Sequence, residues 1–242
     1  MRFAPLALVL LAGCSTGRYD ADYAKAVAAY RDAATFAVLQ PQPAVFSSSR
    51  VLIHLPVGFG PVQDGPPAAE GDPPLAADPS RLRPAFLTEF PGFEAAHEQR
   101  LAAEGTELPV AVTIGVLPAS AGRAAVERTI LKQARADEAF TGEKLAWADR
   151  QLEPRDGGPQ AWRVLTIVGP QIFESRVAGN PEHKRWDGTC QIWVSADPQQ
   201  ELLIILAWRV PEKLAGSLPV PLSQLAETAA RTVAIGPAAP AE

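Results

Sequence analysis

Three imidazoles and two thiols are the groups in this chain from which metal sites and cysteine nucleophiles are made: His54, His97, His183, Cys14 and Cys190. The histidines lie on separate segments without metal-ligand spacing. A zinc site at His97 would need Glu94 or Glu98 and residues from elsewhere to converge at about 2.0–2.3 Å, and no metal ligand is assigned. Cys190 is close in sequence to His183, as a thiolate nucleophile is to its base. Alternation over Thr189–Ala196, however, puts Cys190, Ile192 and Val194 on one face, with Thr189, Gln191 and Trp193 on the other. On an apolar face a thiol acts as a small hydrophobe with a raised pKa, so Cys190 reads as core. There is no Gly-x-Ser-x-Gly, His-Glu-x-x-His, Walker loop, Cys-x-x-Cys or calcium loop. Gly157-Gly158 is a turn. No catalytic residue and no cofactor are assigned.

The polar stretch Arg176–Gly188 (RVAGNPEHKRWDG) is the part that looks made for contact. Arg176, His183, Lys184 and Arg185 oppose the acidic balance of the chain, whose formal charge is −5, and Trp186 adds an aromatic anchor. Aromatic and arginine side chains are enriched at binding hot spots. The plainer reading is a solvated hairpin loop whose Trp186 caps the core edge. The functional reading is a docking loop for an anionic partner or ligand.

Cys14 stands differently. Arg2 opens the chain, an apolar run extends from Phe3 to Leu11, and Leu11-Ala12-Gly13-Cys14 closes it. A basic start, a short apolar middle and small residues at the cut form an export signal. The run is too short to span a bilayer, which takes about 17–25 apolar residues. Its ending resembles the lipobox of bacterial lipoproteins. The resemblance implies a signal peptide over 1–13, a diacylglycerol such as one built on palmitate on Cys14, and a lipidated tether over 14–20. Ser15, where an aspartate would retain the protein at the inner membrane, points to the periplasmic side of the outer membrane. The membrane partner is then reached through covalent lipid, since an acidic chain without a basic run attracts neither anionic headgroups nor nucleic acid. With Cys14 lipidated, Cys190 has no partner for an intramolecular disulfide.

The remaining elements follow from periodicity. Ala21–Leu39 is helical, capped by Asp20 and ended by Pro41 and Pro43. Arg50–Phe59 alternates as a strand. The stretch 60–84 is an irregular Pro/Gly-rich insertion. Phe86–Ala103 fits a helix through Phe93, Ala96, His97, Arg100 and Leu101, or one arm of a hairpin between Pro91-Gly92 and Glu104-Gly105-Thr106; its partner Leu108–Leu117 is a strand, and the hairpin is the reading taken. A helix from Ala121 to about Glu138, capped by Ser120, turns Val126, Ile130 and Ala134 inward. Strands follow over Glu143–Gln151, Ala161–Val168, Thr189–Ala196 and Glu201–Val210. Gly169-Pro170 marks a bulge, a sheet edge or a strand end. Leu202–Trp208 is apolar on both faces, so it lies centrally and is covered on both sides. A last helix, Pro221 to about Ala234, buries Leu222, Leu225, Ala229 and Val233 and pairs Glu227 with Arg231 outside. A tail covers 237–242.

Short turns between strands make them antiparallel, and the helices must cover the sheet. The expected class is α+β, an antiparallel β-sheet covered by helices, as a single domain over 21–236. This order of elements and the phrase Leu55–Gly60 (LPVGFG) resemble Mog1/PsbP-like domains, a family that supplies binding and assembly accessories. The expected function is therefore a non-catalytic, periplasm-facing binding or assembly accessory with an envelope protein partner. The rival is a lipid-anchored hydrolase with a site near His97 or the 176–188 loop.

Overall fold

Apolar alternation gives way to unbroken apolar runs in the middle of this chain, and the architecture follows from where those runs sit. The computed structural model describes residues 16–46, 49–62, 84, 86–87, 89–137, 140, 144–155, 157–177, 180–197 and 201–236, without the side chains of 16–19, 177, 180–183 and 197. The signal peptide, Cys14, most of the 60–84 insertion, the tail 237–242 and the His183 side chain lie outside these residues. Two units are distinguished, Met1–Ala37 and Val38–Glu242. The first contributes helix α1 (Thr16–Phe36), which starts inside the stretch expected to be a tether and four residues before Asp20. Asp20 is therefore within the helix and does not cap it. No described helix is long and apolar enough to cross a membrane.

The second unit is α+β. Its main sheet has seven strands, all antiparallel, in the order β3 (Gly60–Pro61), β4 (Phe93–Ala103), β5 (Thr106–Pro118), β9 (Leu202–Pro211), β8 (Asn180–Asp197), β7 (Ala161–Val177), β6 (Trp147–Gln151). A small sheet joins β1 (Ala44–Phe46), β2 (Val51–Ile53) and β10 (Ala234–Ile235). The strand expected over Arg50–Phe59 is thus only three residues of ladder, followed by a single bridge from Pro56 to Leu39 and a turn at Gly58, φ 90°. The hairpin β4–β5 forms as expected. Its two-residue turn, Glu104-Gly105, has both φ angles positive, 51° and 79°, the twist that suits a tight hairpin.

β9 is the middle strand of the seven, and Leu203 to Trp208 are fully buried. On one face Leu203, Ile205 and Ala207 join Leu165, Ile167, Cys190, Ile192 and Val194 under helix α2 (Arg123–Ala136). That helix presents Val126, Ile130 and Ala134, the residues its period implies. Its N-cap is Gly122 at φ 74°, after a 3-10 turn over Ala119–Ala121, and no side chain caps it; Ser120 is inside the turn. On the other face Trp193, Leu206 and Trp208 line the side covered, after the short helix α3 (Glu212–Ala215), by helix α4 (Leu222–Ala230), with Phe59 and Trp208 rings 6.1 Å apart. Leu222, Leu225, Ala229 and Val233 are buried. Arg231 donates from Nε to the Glu153 carbonyl at 2.9 Å, tying the end of α4 to the strand-free segment before β7.

Candidate functional site

The expected loop over Arg176–Gly188 is not a loop. β7 runs through Gly169-Pro170 to Val177, and β8 starts at Asn180, with Arg176 opposite Pro181, Phe173 opposite Lys184 and Ile172 opposite Arg185. The described residues form a two-stranded arm that outruns its neighbours. β6 pairs only with 161–165 of β7, and β9 ends opposite Gly188. Pro170 therefore sits along an edge, where a missing N–H costs no ladder bond. The glycine pair Gly169 and Gly188 stands where the arm bends. A Cβ on Gly188 would lie 2.7 Å from the Val210 carbonyl oxygen and 2.9 Å from Phe173 Cζ, so only glycine lets that ring fold inward.

The arm curls until β7 meets β5, pairing Thr106 with Val177 and Glu107 with Arg176. Between this contact and the main body the ladder is open, and two arginines fill the gap. Arg100 of β4 donates from Nη1 to the Glu174 carbonyl at 3.2 Å and from Nη2 to Glu174 Oε1 at 3.1 Å. Arg209 of β9 donates from Nη1 to the Ile172 carbonyl at 3.4 Å, and its guanidinium stands 5.3 Å from the Phe173 ring centroid. Carbonyls two residues apart on a strand point to the same side, so arginine N–H groups here do the work of a missing strand. Glu98 takes Arg100 Nε at 2.7 Å, and Arg176 Nε is 3.7 Å from Glu174 Oε1. Burial lowers the Arg209 pKa, against the opposing pull of Cys190 and Glu98. Both carboxylates are committed to arginines, which makes this a structural seam.

Alternation splits the sequence-predicted contact residues. Lys184 and Trp186 are on the inner side of β8, while Arg185 and Asp187 are on the outer. Trp186 is half-buried under Lys213, 5.1 Å from its ring centroid, and Lys213 in turn pairs with Glu104. The outer side carries Arg185 and Asp187 beside Ile172, Pro170 and Val168, all exposed. Beyond Thr189, this side runs into a groove of about 460 Å³ between β8, β9 and the segment 215–223.

His97 faces the small-sheet side, its ring 5.8 Å edge-on from Phe46. Neighbouring Glu98 is on the opposite face with the arginines, so strand alternation separates the imidazole from it, and a register shift between Phe93 and Ala95 takes Glu94 out of that alternation. Burial lowers the His97 pKa, and its Nδ1 is buried without a hydrogen-bond partner. His54 Nδ1 is 2.8 Å from the Gln40 carbonyl. No group of three His, Cys, Asp or Glu is gathered as a metal site among the described residues. Cys190 is fully buried, and desolvation pushes its thiol up to about 12, with Arg209 opposing. Of the seam residues, the sequence singles out Arg176 as a contact residue and Glu98 only as a possible zinc ligand, whereas Arg100, Glu174 and Arg209 went unnoticed as site residues. Their signal is the repeated Glu-x-Arg of Glu98–Arg100 and Glu174–Arg176, which puts opposite charges on one face of each strand, and the lone charge of Arg209 in an apolar run.

Among solved structures, the Saccharomyces cerevisiae Ran-binding protein Mog1p is similar to this chain at a TM-score of 0.39 and 11% identity, covering 81% of this chain and 96% of that one. No residue role or activity is carried over from it. No protein-family model and no curated protein matches the chain in sequence.

Proposed function

We propose that this chain is a lipid-anchored envelope protein whose α+β unit is a non-catalytic binding or assembly accessory on the periplasmic side of the outer membrane. The anchor rests on the sequence from Arg2 to Cys14. One acyl chain binds only marginally, about 10⁴ M⁻¹, whereas two or more hold stably. The binding role rests on one observation. Val168 and Ile172, 64% and 39% exposed, share the outer side of the arm with Pro170 and Arg185. Single exposed apolar residues are ordinary, but a row of them on one strand face beside a groove is a contact patch. Its partner is a protein surface of apolar residues with a carboxylate for Arg185, a cation exposed on this side in a chain of net charge −5.

The hydrolase reading finds little support. Cys190 is sealed, His97 stands edge-on to Phe46, and Glu98 and Glu174 hold arginines. Two measurements test the proposal. Labelled palmitate should enter the wild-type chain, while Cys14→Ser should stay unlabelled and unprocessed; equal labelling rejects the anchor. Val168→Asp with Ile172→Asp should keep the fold and abolish the crosslinked partner seen with wild-type protein in intact membranes. Undiminished crosslinking rejects the patch.

A further inference from the structure

The groove beside the arm is lined by uncharged groups that donate hydrogen bonds and by apolar walls. α4 begins with Pro221 at its N-cap and no side-chain cap. Proline has no N–H, so the amides of Leu222, Ser223 and Gln224 open the helix without intrahelical acceptors. This end carries a partial positive charge, and Leu222 and Ser223 line the groove. A second observation comes from the opposite wall. Gln191 of β8 is only 8% exposed, and its Oε1 accepts from Trp193 Nε1 at 3.4 Å. An indole N–H can only donate, which fixes the orientation of the amide. The Gln191 NH₂ is thereby left on the groove side with no partner among the described residues, next to the Thr189 hydroxyl, which has none either.

We infer that this groove binds a monocarboxylate carried on a short apolar body. The carboxylate takes the Gln191 NH₂ and the first amides of α4, and the body lies on Val210, Leu218 and Val220. A cation would meet no carboxylate in the lining, and a dianionic phosphate would meet no lysine or arginine. The volume of about 460 Å³ falls in the small-ligand range. Pro219 and Pro221 fix the rim, so little ordering is needed on binding. A free organic acid and a peptide C terminus share this chemistry.

The test uses the full-length protein in detergent solution and follows the Trp193 indole N–H and Gln191 NH₂ resonances by NMR. N-acetyl-leucine should shift both, and N-acetyl-leucinamide should bind about tenfold weaker or worse, a loss of about 1.4 kcal/mol or more. Ser223→Asp adds a carboxylate at the exposed helix start. It should leave the fold as stable or more so while weakening N-acetyl-leucine at least as much; Ser223→Ala should bind like wild type. Acid and amide binding alike, no shift at millimolar acid, or full affinity in folded Ser223→Asp overturns the inference. Tighter binding of the Ala-Ala-Leu acid than of hexanoate assigns the source to a protein C terminus. The reverse assigns a free acid, and either result bears out the carboxylate seat. None of these outcomes depends on the lipid anchor or on the arm's partner.

Discussion

The same three strands, β7, β8 and β9, build two regions held together by different physics. In the half under α2 and α4 the buried positions are mostly apolar, with Gln191 and Ser195 of β8 as polar exceptions, and both faces are covered. In the arm beyond Gly169 and Gly188 the cover stops, the sheet curls onto β5, and Arg100 and Arg209 cap strand carbonyls that no neighbour reaches. A covered sheet needs only apolar residues at the right period. A sheet that closes on itself leaves backbone groups to satisfy, and long cationic side chains supply the donors.

The contrast can be broken by substitution. Ile205→Ala, in the covered half, should cost about 3–5 kcal/mol in urea unfolding, a transfer loss plus a cavity. Adding charge neutralisations in the arm should not restore it. Glu174→Leu should cost about 3 kcal/mol, because it removes the carboxylate between Arg100 and Arg176, leaving Arg176 without its partner and Arg100 with Glu98 alone. Here Arg176→Met, added to it, should recover part of the loss, since it removes the cation left without a carboxylate while Arg100 keeps Glu98 and the strand carbonyl. Failure of that rescue would mean the seam is held by something other than charge. Cys190→Ser should cost about 1–3 kcal/mol by burying a hydroxyl. The wild-type thiol should also make stability fall with alkali. Its folded pKa of about 12 is above the ordinary thiol value of 9.0, so only the unfolded chain ionises between them, and stability present below pH 9 is lost on the way to about 12. A Cys190→Ala protein with the same alkaline slope would contradict this. At the other end of the scale, His97 is lowered below 6.5 by burial. The unfolded chain takes up its proton first as pH falls through 6.5, so stability declines there, and His97→Phe should flatten that limb.

The covered half was legible because its signals are local: unbroken apolar residues in Leu202–Trp208 imply a central strand, and the period of α2 picks out Val126, Ile130 and Ala134. The α+β class and the β4–β5 hairpin followed in the same way. The arm was not legible, because Arg176–Gly188 is polar and reads as a loop until Ile172 and Arg185 are seen in register. Its seam combines Glu98, Arg100, Glu174, Arg176 and Arg209 from three strands, a convergence no local period reveals. Trp186 misled for a related reason: an aromatic beside basic residues looks like an anchor, but alternation turned it inward beneath Lys213. The groove is likewise built from segments some thirty residues apart, Thr189–Gln191 and Leu218–Ser223.

The smallest effect on stability, and the largest expected on function, belongs to the arm's charges. Lys184→Glu with Arg185→Glu should move unfolding by no more than about 0.5 kcal/mol and should weaken partner capture, most at low salt where attraction is unscreened. Unchanged capture by the folded double variant would remove charge from the recognition.

The central claim is that the outer face of the arm touches another protein, and a photo-crosslinking residue tests it most directly. Placed at Ile172 in the membrane-bound protein, it should yield a discrete protein adduct, and the same residue at Val45, 64% exposed on the small sheet, should not. Adducts of equal yield at both positions, or none at Ile172, would contradict the account.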